Sequence, residues 1–220
     1  MQMIARPDLL RRARIATRRL ARNVRGAIMI EMAFAIPILV LIGFGGLEVA
    51  NLTLVNTRIS QIGLSVADNA SRIAAGSNLA LPQVREADIN EVFAGIEKQG
   101  VGLDFQNNGR IILSSLQRNN DGGQTIKWQR CYGKLAVASA YGTEGTGATG
   151  KSFAGMGDKG KEVTAAGGTA VMFVEISYKY QPLVYGKWLG PKTIKSMAAF
   201  NVRETRDLTQ VYSPGTKSSC

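Results

Sequence analysis

The hydrophobic period changes along the chain, and each change marks an element. Residues 27–47, AIMIEMAFAIPILVLIGFGGL, are apolar on every side and hold a single charge, Glu31. A helix of that length, at about 1.5 Å per residue, measures roughly 31 Å, the thickness of a bilayer's hydrocarbon core. Pro37 falls inside the run. It removes a backbone hydrogen bond and predicts a kink, which membrane helices tolerate better than soluble ones. From residue 48 the pattern turns amphipathic. Val49, Leu52, Val55, Ile59, Ile62, Val66 and Ile73 recur every three or four residues, opposite Asn51, Arg58, Gln61, Asp68 and Arg72. Span (27–47) and amphipathic stretch (48–76) read as one long stalk. Its stripe suits packing on the chain's own later residues and packing on neighbouring stalks alike.

Gly76-Ser77-Asn78 predicts the end of the stalk. A short helix follows, with capping-box spacing between Asp88 and Glu91, a shared face of Ile89, Val92, Phe93 and Ile96, and Gly100 as its stop. The period then falls to two. Asn107-Asn108-Gly109 predicts a turn before a strand over 110–116, and residues 119–123, NNDGG, predict another before a strand over 125–130. Met172, Val174, Ile176, Tyr178 and Tyr180 alternate with Phe173, Glu175, Ser177 and Lys179 in a strong strand that Pro182 ends. Ile194, Ala198, Phe200 and Val202 mark a last one. Residues 77–220 are enough for one modest core. The expected fold class is α+β: a long N-terminal membrane and stalk helix, then a small antiparallel sheet with helical elements.

Charge gives the span a direction. The chain holds 27 basic and 16 acidic residues, net +11, but residues 1–26 contribute eight arginines (Arg6, Arg11, Arg12, Arg14, Arg18, Arg19, Arg22 and Arg25) against one acid, Asp8. Positive residues beside a span stay cytoplasmic, so the N-terminus is expected inside and everything after residue 48 outside. Without residues 1–26 the balance is 19 to 15, net +4, so no nucleic-acid partner is expected. Leu47-Glu48-Val49-Ala50 is a poor small-x-small secretory cleavage site. Gly43, Gly45 and Gly46 form either a smooth patch for another helix or a loose end of the span. Cys131 and Cys220 are the only cysteines. Both lie outside in this topology, where oxidation is expected, and a disulfide between them would close a loop of about 90 residues.

Candidate chemistry is sparse. The chain has no histidine, which removes Ser-His-Asp and Cys-His arrangements. Two cysteines are too few soft ligands for a metal site. Asp104, Glu175 and Asp207 read as surface or structural charges. No enzymatic activity, cofactor or metal is expected. Residues 145–152, GTGATGKS, match the phosphate-loop pattern GxxxxGK[ST]. That chemistry needs a strand before and a helix after, and Gly155, Gly157 and Gly160 make the following stretch a poor helix. Residues 142–168 are predicted to be a flexible, exposed loop, and no nucleotide partner is expected.

The most specific pattern sits where the basic head meets the apolar run. A charge at the centre of a span costs about 2.5–3.5 kcal/mol, and less near an end, so Glu31 needs a partner. With Gly26 before a cut and Glu31 the fifth residue after it, the layout resembles a type IV prepilin processing site. Arg25-Gly26-Ala27, Glu31-Met32-Ala33, Pro37 and Gly46-Leu47-Glu48 together resemble the TadE-like family of minor pilins, or pseudopilins, of the tight-adherence (Tad, or Flp) pilus system. Met32 stands where the family usually has Phe or another aromatic. A looser likeness runs through residues 126–131 and 174–183 to Cys220.

The resemblance implies a pilin-like extracytoplasmic domain on a single-pass protein of the bacterial inner membrane. It implies cleavage by a prepilin peptidase after Gly26, a new N-terminus at Ala27, and a meeting of Glu31 with the N-terminal amine of a neighbouring subunit. The implied partners are the major pilin, other minor pilins and the inner-membrane assembly platform, in assembling or initiating an adhesion pilus. The layout also suits an uncleaved single-pass envelope protein with a periplasmic binding module, or a secreted protein cut after the span. The position of the cut separates the three.

Overall fold

The computed structural model describes residues 7–21, 25–73, 81–184, 186 and 190–220, which fall into two compact units, Met1–Val49 and Ala50–Cys220. The first holds helix α1, Pro7–Ala21, and the start of helix α2, Arg25–Arg72. Arg11, Arg12, Arg14, Arg18 and Arg19 are exposed on α1. Helix α2 has 48 residues and continues on both sides of Pro37. Its most apolar window has a mean hydropathy of 2.4, and its large apolar side chains over residues 28–47 are exposed. By length and composition it can cross a membrane.

The second unit is α+β. It holds the rest of α2, α3 (Glu86–Gln99), the short α4 (Phe105–Asn108), and strands β1 (Gly109–Arg118), β2 (Gln124–Tyr132), β3 (Ala170–Lys179) and β4 (Thr193–Asn201). The strands form one antiparallel sheet in the order β2-β1-β3-β4. The stalk stripe packs on this sheet. Val55, Ile59, Ile62, Val66, Ala67 and Ala70 share a core with Ile111 and Leu113 of β1, Met172, Val174, Ile176 and Tyr178 of β3, and Ile89, Phe93 and Ile96 of α3. Each fully buried aliphatic or aromatic side chain contributes about 1.5–3 kcal/mol of transfer free energy. A Cβ on Gly63 would lie 3.2 Å from Ile176 Cδ1, so this glycine lets the helix backbone approach the sheet.

Helix and strand run antiparallel. At one end the Asn51 amide donates to the Tyr180 hydroxyl at 2.7 Å. At the other, Arg206 reaches both the Ala70 carbonyl and Met172 Sδ. Residues 51–72 of a helix span about 32 Å at 1.5 Å each, and residues 170–180 of a strand about 33 Å. The stalk and the central strand therefore match end to end.

The sheet's other face is also buried. Leu116, Ile126, Val171 and Phe173 form a second core with Met156 and Ala165, flanked by Tyr141, Phe153 and Val163. All five covering residues come from the stretch between β2 and β3. Residues 142–168 form an irregular, mostly exposed loop, but it is anchored: Met156 is 0% exposed, and just before the loop Tyr141 meets Phe173 edge-on with ring centroids 5.4 Å apart. The stretch is irregular because its glycines allow tight turns. Gly147 has φ +72°, and a Cβ there would collide with the Phe153 side chain. It is held because backbone groups find partners. Gly145 N–H donates to the Ile126 carbonyl at 2.8 Å, and Ile126 N–H donates to the Thr146 carbonyl at 2.9 Å, along the outer edge of β2.

A bulge makes β2 serve both cores. Ser115 pairs with Trp128 but Leu116 pairs with Ile126, leaving Lys127 as the extra, exposed residue. The one-residue slip turns Trp128 to the helix side and Ile126 to the loop side.

Residues 202–220 form neither helix nor strand, yet they satisfy the ends of two helices. Arg206 Nη1 donates to the Ala70 and Ile73 carbonyls at 2.9 and 2.8 Å, at the C-terminal end of α2, where a cation is favoured. At α3 the Asp88–Glu91 box expected from spacing is replaced. Asp88 Oδ2 accepts from the Arg85 N–H at 3.1 Å, which makes Arg85 the capping position. The Glu86 and Ala87 N–H groups donate to the Tyr212 and Pro214 carbonyls, both at 2.9 Å. The tail thus supplies the acceptors that a side chain usually supplies. The 107–109 turn is instead the end of α4, which closes on Gly109. The stop expected at Gly76-Ser77-Asn78 lies outside the described residues.

Gly215 has φ +129°, and a Cβ there would collide with the Ala87 backbone nitrogen. Gly215→Ala is therefore expected to lower domain stability by about 1–3 kcal/mol, read as a reduced denaturant midpoint of the full chain in detergent micelles. An unchanged midpoint would show that the tail contact on α3 contributes nothing.

Candidate functional site

Gly26 and Ala27 lie in the first turn of α2, and Glu31 follows one turn later, four residues from Ala27 and so on the same side of the helix. All three are exposed, and a Cβ on Gly26 would meet nothing within 4 Å. The N–H groups of a first turn have no intrahelical acceptor, so this is where a helix unwinds most readily. The geometry offers an accessible peptide bond at a helix start and an unburied carboxylate within a turn of the amine that cleavage would create. Gly43 and Gly46 share a face and also have open space around them.

Cys131 and Cys220 are brought together and bonded, with Cα atoms 4.9 Å apart and a sequence separation of 89. The bridge ties the tail to β2, and the Cys131 N–H adds a hydrogen bond to the Ser218 carbonyl at 2.9 Å. Loop-closure reasoning attributes about 4–5 kcal/mol to a bridge over so long a loop.

Beside the bridge stands a charge cluster that sequence reasoning missed. The Arg130 side chain is 5% exposed. It donates to Glu86 through Nη2 at 2.6 Å and through Nε, to Glu144 through Nη1 at 2.9 Å, and to its neighbour's carbonyl on Gln129. Its guanidinium lies 5.9 Å from the centre of the Trp128 ring. Burial pulls the guanidinium pKa down, but the hydrogen bond and charge of Glu86 and Glu144 outweigh it and the net shift is upward. Glu144 is the exposed member. Burial pushes its pKa up, but the Gln129 N–H and the charges of Arg130 and Lys217 outweigh this and hold it below the ordinary carboxylate range. The only signal in sequence was an arginine placed next to a cysteine on a strand.

The other carboxylates are structural. Asp104 accepts from the Asn107 amide at 2.7 Å at the start of α4. Asp207 accepts from the Thr209 N–H and hydroxyl and from the Tyr212 hydroxyl within the tail. Glu175 accepts from the Ser139 hydroxyl at 2.6 Å and the Ala140 N–H at 2.9 Å, which fastens the covering loop to β3, and its burial raises its pKa. Arg206 is 5% exposed, and burial draws its pKa down to about 10.

Residues 145–152 lie in turns, with neither strand nor helix between Tyr132 and Ala170. The Gly147 and Gly150 carbonyls accept from the Asn119 amide, and the Gly150 N–H donates to Asp121. The motif's backbone is thus engaged in fastening the loop to the β1–β2 turn. A groove of about 560 Å³ runs beside the disulfide, lined by Arg110, Ile112, Gln129, Lys134 and Leu135 among others. No protein-family model matches the chain, and neither a curated protein nor a solved structure does. Function is therefore read from residues and geometry.

Glu144 gives a pH signature. Its folded-state pKa is lowered, so its contribution is complete above the unfolded carboxylate value of about 4.3 and is lost as the pH falls through the folded value. Unfolding midpoints of Glu144→Gln and the parent are expected to differ at neutral pH and to converge in acid. A constant difference across the range would count against the Arg130 assignment.

Proposed function

We propose that this chain is a minor pilin or pseudopilin of a Tad (Flp) type IV pilus, made as a precursor and cut after Gly26 by a prepilin peptidase. The observation that carries the reading is the start of α2. An exposed Gly26–Ala27 bond opens a helix whose next 20 residues are bare and apolar apart from Glu31. A membrane span with one carboxylate a turn from its start needs a cationic or hydrogen-bonding partner in hydrocarbon. The amine of a cleaved neighbour supplies one.

The rest of the chain supports this reading. The arginines of α1 support a reading with the N-terminus in the cytoplasm of a bacterium and the Ala50–Cys220 unit beyond its inner membrane. The Cys131–Cys220 bridge suits that oxidising side. The stalk beyond the membrane is engaged by its own sheet. Contact with the major pilin, other minor pilins or the assembly platform then falls to residues 27–47 and to the domain's outer surface.

Two substitutions test the site. Gly26→Asp is expected to block processing, so that the protein purified from its own membranes keeps its full mass and starts at Met1, while the parent starts at Ala27. A mutant with the mature mass would remove the claim, and a parent starting at Met1 would favour an uncleaved envelope protein. Glu31→Ala is expected to insert and be processed normally but to lose co-purification with other pilus components. Undiminished co-purification would count against a role for Glu31 in assembly.

A further inference from the structure

The sheet has two edges, and the chain closes one of them. Along the outer edge of β2, Ile126 bonds to Thr146 and Gly145, the Gln129 N–H donates to Glu144 Oε2 at 3.2 Å, and the Cys131 N–H donates to the Ser218 carbonyl. The other edge is β4. Its pairing with β3 is bracketed by two hydrogen bonds, from the Tyr180 N–H to the Lys192 carbonyl at 2.8 Å and from the Val202 N–H to the Ala170 carbonyl at 2.9 Å. Backbone direction alternates along a strand, so the even-numbered residues from Ile194 to Phe200 face β3. Thr193, Lys195, Met197, Ala199 and Asn201 turn their N–H and carbonyl groups outward. Among the described residues no backbone group meets these.

An open edge of nine residues is a template for another strand, and proteins commonly blunt one with charge, proline or a bulge. β4 holds no proline, its register on β3 runs unbroken, and its one charge is Lys195. Odd-numbered side chains of β3 and β4 stand on the loop side of the sheet, as Phe173 and Ala199 do. Lys195 lies opposite Ser177, and Lys179 opposite Thr193. The two lysines are therefore diagonal neighbours on one face, about 7–8 Å apart. Both are exposed, and among the described residues no ion pair holds either. Arg110 stands across Ser177 on β1 and donates to the Gly133 and Cys220 carbonyls. The Glu175 carboxylate, diagonal to Lys195, is occupied by the Ser139 hydroxyl and the Ala140 N–H. The open edge thus runs beside a face with cations to spare.

We infer that β4 is a docking edge for an extended acidic segment of a partner protein, which adds as a fifth strand with its carboxylates on the loop side against Lys195 and Lys179. Main-chain bonds to the outward groups hold such a strand, and the lysines select it. A second copy of β4 fits worse, because it brings the same lysines and no carboxylate. Lys195 stands perpendicular to the sheet and leaves the edge itself clear, so it discourages a like strand and admits an acidic one. The inference concerns the Ala50–Cys220 unit alone and stands whether or not the chain is cut after Gly26.

The test uses the full chain in detergent micelles and fluorescein-labelled, capped nine-residue peptides, with binding read by fluorescence anisotropy. A peptide alternating glutamate with valine is expected to bind at least tenfold more tightly than one alternating lysine with valine. Equal binding of the two, or none, overturns the inference. Two further glutamate peptides carry N-methyl groups, one on every glutamate and one on every valine. A strand bonds through one edge, so one of these is expected to lose binding and the other to keep it. Equal binding of both methylated peptides would reduce the contact to charge attraction and overturn strand addition. Lys195→Gln is expected to weaken the glutamate peptide several-fold and Lys151→Gln, on the covering loop, to leave it unchanged. Equal effects would overturn the site. A dimer of the parent chain that Lys195→Gln strengthens and the glutamate peptide dissolves would give the edge to a second copy and overturn the partner assigned.

Discussion

The contact between residues 55–70 of α2 and the inner face of β1 and β3 is the constraint on which the Ala50–Cys220 unit depends. A small sheet with one bare face has too little buried surface to stand alone. Here a single helical stripe supplies that burial, and α3 widens it through Ile89, Phe93 and Ile96. Gly63 sets how closely the helix approaches, and the equal lengths of stalk and strand leave no overhang in which apolar surface would be wasted. Once β3 is held on the helix side, its other face must be closed as well, because Val171 and Phe173 point there. The irregular stretch between β2 and β3 exists in its present form for that reason.

Polar groups follow from the same arrangement. Laying two helices over a sheet leaves the end of α2 and the start of α3 facing protein rather than water, with backbone groups that need partners. The tail brings Arg206 to one and the carbonyls of Tyr212 and Pro214 to the other. Its own end is then held by the disulfide and by Asn90, whose amide meets the Thr216 carbonyl and whose carbonyl oxygen accepts from the Ser218 hydroxyl. Arg130 sits where β2, α3 and the loop converge. A charge so deeply placed is tolerable only because two carboxylates and a carbonyl meet it.

Much of this was legible in the residues, and the division has physical reasons. The apolar run, the amphipathic stripe and the alternating strands were visible because burial on one face imposes a period of 3.6 or 2. β3 was recognisable from Tyr178 and its neighbours although both its faces are buried, since β-branched and aromatic residues fill it. The partner of the stripe was not legible, because Val55, Ile59 and Ile62 look the same whether they meet a sheet or another helix. The anchoring of the covering loop was not legible because its glycines outnumber its anchors, and a few side chains such as Met156 and Tyr141 decide its position. The tail's capping role was invisible: it is carried by main-chain carbonyls, which every sequence possesses. The bulge at Lys127 leaves no period of its own, only a phase change between Ile126 and Trp128. At the site, Gly26, Ala27 and Glu31 were read from their place between an arginine head and an apolar run. Arg130 went unread because its two carboxylate partners come from distant parts of the chain.

The antiparallel match of α2 and β3 has a mechanical consequence. A pull on the stalk toward its N-terminal side acts along the helix–sheet interface rather than across it. The apolar contacts from Val55 to Ala70 then lie in parallel along the line of force and must yield together, whereas a pull across the interface would peel them one turn at a time. At the far end Arg206, hydrogen-bonded to the Ala70 and Ile73 carbonyls and touching Met172, is a latch against the first increment of sliding. Resistance to tension in this domain is a property of shear between a helix and a strand of equal length.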